Sequence, residues 1–262
     1  MLGTRGLLTV LLAGCKFSVS VSSQDDAMPD AELREDATSD MTALERDRLF
    51  AVDQTSLYVI DISDQRTQLV GEIRVGSTAV PLYLEGLAVR SGVLIGLPNA
   101  LGEAVYEIDP ATAIATKVLD LTTERNYYGM AHSPMGTFAA TDLGSLYRIN
   151  VVGAPTYVGA FGEGRRIAGD MTWNPTAGAF LASVSSGSCP NHCIAKIDPT
   201  TVDLSVLADD GVPTNLWAMA TTEDGKSYAL SGGNGTVYEV DPTTGALAQL
   251  FATGIDFSDA AP

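Results

Sequence analysis

The pattern that most constrains this chain is a short motif repeated five times. It reads apolar, usually Tyr, any residue, Ile or Val, then Asp or Asn. The copies are Leu57-Tyr58-Val59-Ile60-Asp61, Val105-Tyr106-Glu107-Ile108-Asp109, Leu146-Tyr147-Arg148-Ile149-Asn150, Ile194-Ala195-Lys196-Ile197-Asp198 and Val237-Tyr238-Glu239-Val240-Asp241. The closing Asp or Asn positions 61, 109, 150, 198 and 241 are spaced by 48, 41, 48 and 43 residues. Short strands recurring about every 40–50 residues signal radial repetition, the arrangement of a β-propeller. Alternating apolar and polar positions rich in Tyr and β-branched residues suit a pleated sheet. Pro follows the Asp at Pro110, Pro199 and Pro242. An Asp-Pro pair presets a tight turn, so each motif reads as a third strand turning into a fourth.

A second pattern marks a first strand in each unit, with small residues around one larger apolar residue. It occurs as Gly86-Leu87-Ala88, Gly129-Met130-Ala131, Asp170-Met171-Thr172, Ala218-Met219-Ala220 and Asp256-Phe257-Ser258. Small residues of this kind suit the crowded axis of a ring. The two patterns are out of phase. The repeating region opens near Leu49 with a second strand and ends with a first strand near 255–258. The terminal strand therefore completes the opening unit, and pairing of the two ends removes the exposed sheet edge. The expected fold is all-β, a five-bladed propeller over residues 48–262. An open β-solenoid is the competing architecture, but it leaves the matched half-units at the two ends without a purpose.

These repeats resemble those of secreted bacterial propellers of the Tyr-x-Ile-Asp-Pro-x-Thr-Gly type. Similar patterns occur in quinoprotein-like and glutamine-cyclotransferase-like propellers. The resemblance is one of repeat grammar. It implies the fold and carries no catalytic residue across.

The first 47 residues differ in character. Arg5 precedes an apolar run ending in Leu12-Ala13-Gly14-Cys15. That arrangement resembles the lipobox of bacterial lipoproteins, with residues 1–14 as the export signal. The run is far shorter than the ~20 residues of a membrane-spanning helix. The resemblance implies diacylglycerol transfer to the Cys15 sulfur and anchoring by acyl chains. It also implies the outer membrane, because Lys16 rather than Asp follows the cysteine. Residues 15–47 are dense in Asp and Glu and contain one aromatic residue, Phe17. Such a segment buries too little apolar surface to offset its chain entropy and reads as a disordered acidic linker.

With Cys15 lipidated, Cys189 and Cys193 remain as an even pair, and an oxidising compartment joins them. They lie in the loop Ser185-Ser186-Gly187-Ser188-Cys189-Pro190-Asn191-His192-Cys193, with His192 between them. The competing reading, a metal or redox site on Cys189, Cys193 and His192, lacks a second ligand pair and the C-x-x-C spacing.

Two further groups are candidate sites. Glu85, Asp170 and Asp256 lead into first strands, which in a propeller converge at one mouth of the axial channel. Three carboxylates there suit Ca²⁺ or acid–base chemistry, as in a hydrolase or lyase. Asn126, Tyr127 and Tyr128 form an aromatic, polar patch suited to a peptide or carbohydrate. Trp173 and Trp217 are expected to pack between blades. The formal charge of −17 repels phosphate backbones and excludes nucleic acid as a partner. No nucleophile elbow, P-loop or dinucleotide fingerprint is present. The expectation is a monomeric, lipid-anchored envelope protein, without an assigned cofactor, that presents one propeller face to a protein, peptide or glycan. A purely structural envelope role is the remaining alternative.

Overall fold

The computed structural model describes residues 47–76, 80–98, 104–121, 126–150, 153–187, 189 and 192–262. Cys15, the signal segment and the linker up to residue 46 lie outside the described residues. The described chain is built from β-strands gathered into five sheets that form the blades of a propeller.

Blade 1 combines β1 (Arg48–Val52), β2 (Ser56–Asp61) and β3 (Arg66–Glu72) with β21 (Asp259–Ala261). Blade 2 holds β5 (Leu84–Arg90), β6 (Val93–Pro98), β7 (Ala104–Ile108) and β8 (Ile114–Asp120), with β4 (Arg74–Val75) added parallel to β8. Blade 3 holds β9 (Tyr127–Ser133), β10 (Gly136–Thr141), β11 (Ser145–Ile149) and β12 (Thr156–Ala160). Blade 4 holds β13 (Arg166–Asn174), β14 (Ala179–Ser185), β15 (Cys193–Ile197) and β16 (Leu204–Ala208). Blade 5 holds β17 (Leu216–Thr221), β18 (Ser227–Ser231), β19 (Thr236–Val240) and β20 (Leu247–Ala252).

The repeat dictates this layout locally. The five repeated motifs are β2, β7, β11, β15 and β19, the third strand of each blade. After four of them the Asp side chain closes the turn. Asp109 Oδ1 accepts the Ala111 amide at 2.8 Å, and Asp198 and Asp241 accept the Thr200 and Thr243 amides at 2.7 Å. Asp61 does the same for Asp64 at 3.0 Å. These bonds hold the carboxylates of Asp109, Asp198 and Asp241 below the usual aspartate range. Between blades the apolar faces interdigitate. Phe138 of blade 3 meets Phe180 of blade 4 edge to face at 5.3 Å, and Phe257 and Tyr58 fill the seam between blades 5 and 1.

Ring closure is non-covalent. β21 pairs antiparallel with β1 through Phe50–Ala261, Ala51–Ala260 and Val52–Asp259. The closing strand lies three residues beyond the segment the sequence suggests. Asp256-Phe257-Ser258 copies the small–apolar–small pattern, but Phe257 is a wedge buried between blades. A ring axis has room only for the shorter side chains of Asp259-Ala260-Ala261. Strand pairing aligns Leu87, Met130, Met171, Met219 and Ala260 across the five first strands, so Gly86, Gly129, Asp170, Ala218 and Asp259, each one residue earlier, hold the equivalent inner position.

Candidate functional site

At the start of the first strands the axial channel opens into a bowl of about 570 Å³. Asp53, Glu85, Tyr128, Gly169, Trp217 and Asp256 line it. None of the described residues lining it is basic. The opposite mouth is a cleft of about 160 Å³ bordered by His132, Trp173 and Glu223.

The bowl is built from irregularities in the strands. Register shifts fall between Leu84 and Gly86, between Ile167 and Met171, and between Leu216 and Ala218. A β-bulge leaves one residue unpaired and re-aims its side chain. Here the bulged residues are Glu85, the 168–170 segment and Trp217, and Glu85, Gly169 and Trp217 all reach the bowl. Trp217 is 39% exposed, so its indole is a wall of the bowl and not an inter-blade filler. Trp173 does pack in the core, edge to face with Phe180 at 5.6 Å.

Neighbouring groups hold the walls. Asp53 accepts the Ser56 amide at 2.8 Å and the Tyr58 hydroxyl at 2.7 Å. Asp256 accepts the Gly233 amide at 2.7 Å. Trp217 and Asp256 both press against Gly232, where an added Cβ would stand 2.5 Å from the indole Cδ1 and 2.6 Å from the Asp256 Oδ1. Burial pushes the half-buried Glu85 carboxyl upward. Burial also raises the Tyr128 hydroxyl, helped by the charges of Glu85 and Asp142 and opposed by Arg166.

Behind Trp217 lies the stapled loop. Cys189 and Cys193 are joined as a disulfide, with Cα atoms 6.0 Å apart. The intervening His192 is buried, and its Nδ1 lies 2.8 Å from the Leu216 carbonyl and 3.0 Å from the Ser183 hydroxyl. His192 is a support for the bowl's wall.

The structure brings two of the three expected carboxylates to the mouth. Glu85 and Asp256 line the bowl; Asp170 does not. Asp170 is fully buried at the axis, where its carboxylate accepts the Met171 amide at 2.6 Å and the Met219 amide at 3.1 Å. The bulge turns it inward onto these amides. Among the described residues, no group of three His, Cys, Asp or Glu side chains stands in metal-binding proximity. The aromatic patch divides similarly. Tyr128 lines the bowl and Asn126 is exposed, but Tyr127 is 3% exposed and packs edge to face on Tyr147 at 5.9 Å. Alternation along β9 sends the two tyrosines to opposite faces. Sequence reasoning missed Trp217 as a wall and Asp259 as the axial partner of Asp170. A regular alternation pattern holds no signal for a bulge.

No protein-family profile matches the chain, and no curated protein is similar to it. Solved structures are. A Bacteroides thetaiotaomicron VPI-5482 protein of unknown function superposes with a TM-score of 0.54 at 15% identity over 84% of this chain. This chain spans 63% of that protein. A chain in the crystal structure of a nidogen/laminin complex superposes with a TM-score of 0.53 at 10% identity, over 82% of this chain and 97% of its own length. At such identities the likeness is one of fold, and the class it defines is a β-propeller, an architecture that commonly mediates binding.

Proposed function

We propose that this chain is a lipid-anchored binding protein of the bacterial cell envelope, and that its bowl takes a basic segment of a protein or peptide. The observation that carries the reading is Trp217, bulged out of its strand into a concavity that also holds Tyr128 and three carboxylates, Asp53, Glu85 and Asp256. An ammonium or guanidinium group seated there meets aromatic faces and carboxylates together, an arrangement that attracts cations once water is displaced. A sugar also stacks on aromatic residues and its hydroxyls can donate to carboxylates, but unlike a cation it brings no charge to offset three acidic walls. The formal charge of −17 steers basic partners in the same direction.

The anchor rests on Leu12-Ala13-Gly14-Cys15, and the outer membrane on Lys16. The acidic linker then serves as a spacer that holds a monomeric propeller away from the membrane. Labelled full-length protein applied to arrays of peptides of graded charge and of glycans tests the ligand class. Retention on basic peptides that is lost in Trp217→Ala and weakened in Glu85→Gln supports it. Retention on glycans alone, or equal retention by the variants, overturns it. Incorporation of a labelled fatty acid that disappears in Cys15→Ala tests the anchor.

A further inference from the structure

Asp170 and Asp259 occupy the same inner position of two different blades, and both are completely buried. In blades 2, 3 and 5 that position holds Gly86, Gly129 and Ala218. Gly129, at φ +67°, leaves no room above Asp170, because an added Cβ would lie 3.0 Å from its Cα and from Oδ1. The Asp170 oxygens accept amides from its own strand and from β17. Asp259 is different. Neither of its carboxyl oxygens meets a partner in hydrogen-bond geometry, although the Ala260 and Leu87 amides and the Asp170 carboxyl all act on it. Two carboxylates buried together at the axis repel and are both dehydrated, at a cost of several kcal/mol.

We propose that Asp259 carries a proton and donates it to Asp170, so that the β21 clasp closing the ring is held by a carboxylic acid–carboxylate hydrogen bond. One proton removes the repulsion and supplies the donor that Asp259 otherwise lacks. Asp170, already served by two amides, is the acceptor. The bond joins the closing strand to blade 4, across the axis from its β1 partner, so it supplements the short three-residue pairing of β21 with β1.

The charge environment supports this assignment. On β13 and the strands packed against it and β21, the other titratable or charged side chains are Arg48 on β1, Glu85 and Arg90 on β5, Tyr127, Tyr128 and His132 on β9, and Arg166 on β13; β10, β14 and β17 bring none. None of these is among the main influences on either carboxyl, which are burial, the partner acid and backbone amides. Burial lifts Asp170 to about 7 against the pull of its amides. Burial and the Asp170 charge lift Asp259 well above the ordinary aspartate range.

The sign follows from proton linkage. The folded ring retains a proton that the unfolded chain releases near pH 3.8, so folding is strongest in acid and weakens as pH rises toward the folded values. Each retained proton makes the folding constant fall about tenfold per pH unit across that window.

The test is urea unfolding of the full chain between pH 4 and 8 for the wild type, Asp259→Asn and Asp170→Asn, with infrared detection of the protonated carboxyl stretch. The amide of Asp259→Asn keeps a donor toward Asp170 without a titrating proton. The expected result is a wild-type folding constant that falls about tenfold per pH unit relative to Asp259→Asn. A carboxyl band should also persist above pH 7 in the wild type, where Asp170 is ionised, and be lost there in that variant. Parallel pH profiles, or no such band at pH 6, would overturn the proposal. So would stabilisation by added Ca²⁺ that is reversed by EDTA in the wild type and absent in Asp259→Asn, which would give the pair to a cation. Should Asp259→Asn not fold, the band in the wild type alone decides, by its presence at pH 6 and its loss at alkaline pH.

Discussion

The imidazole of His192 stands edge-on to the indole of Trp217, with ring centroids 4.9 Å apart and planes at 84°. One residue therefore links the disulfide loop of blade 4 to the exposed wall of the bowl in blade 5. The amide of Leu216, the residue beside Trp217, donates to the ring's Nδ1 at 3.0 Å, and the Leu216 carbonyl lies 2.8 Å from the same nitrogen. Removing the imidazole takes the acceptor away from the buried Leu216 amide and leaves the indole unsupported. His192→Ala is expected to cost about 1–3 kcal/mol of stability by the first effect. It should also red-shift Trp fluorescence and weaken ligand binding by the second. An unchanged emission spectrum would separate His192 from the bowl.

The staple closes only a small ring of residues, so its direct contribution is modest, about 2 kcal/mol in the chain-entropy picture. Its larger effect is to fix His192. Reduction with dithiothreitol, or Cys189→Ser/Cys193→Ser, should lower the melting temperature by a few degrees and reproduce the emission change of His192→Ala. The propeller's far-ultraviolet circular dichroism should stay as it was, since Cys189 and His192 lie outside the strands and only Cys193 stands in β15.

Gly232 tests the wall from its other side. An added Cβ there meets the Trp217 indole and the Asp256 carboxylate, both side-chain ends, and not backbone. Gly232→Ala should therefore displace the wall while changing stability little, by under about 1 kcal/mol. Peptide affinity measured by calorimetry should fall several-fold at a nearly constant melting temperature. A large loss of melting temperature would place Gly232 in the fold's framework.

His192 and the axial acids oppose each other in pH. Burial depresses the His192 value below 6.5, partly countered by the Leu216 carbonyl. A depressed folded value means that the unfolded chain takes up the proton first. Stability from a neutral His192 is therefore present above pH 6.5 and lost as pH falls below it. His132, depressed by burial and by Arg90, acts in the same direction. Urea unfolding of His192→Gln between pH 5 and 7 should show a smaller loss on acidification than the wild type.

Much of the fold was legible in the chain. The five Tyr-x-Ile-Asp motifs marked the third strands because alternation and Asp-Pro turns are local signals, set by residues a few positions apart. The missing half-units at the two ends implied that they meet. What was hidden depends on geometry that alternation cannot encode. Bulges turned Trp217 outward and Asp170 inward, the reverse of the sequence expectation for both. The closing strand was misplaced by three residues because Phe257 imitates the axial apolar residue while serving as a wedge. Asp259 drew no notice because its partner, Asp170, lies two blades away. The pairing of Cys189 with Cys193 needed only arithmetic, whereas the route from that disulfide through His192 to Trp217 needed coordinates.

The most direct measurement of binding at the bowl is a titration of the full chain with an oligolysine peptide, following tryptophan emission at low and at physiological salt. The expected result is a saturable shift that weakens with salt, is absent with an oligoglutamate control and disappears in Trp217→Ala. A response equal for the two peptides, or one that survives Trp217→Ala unchanged, would contradict a basic ligand seated against that indole.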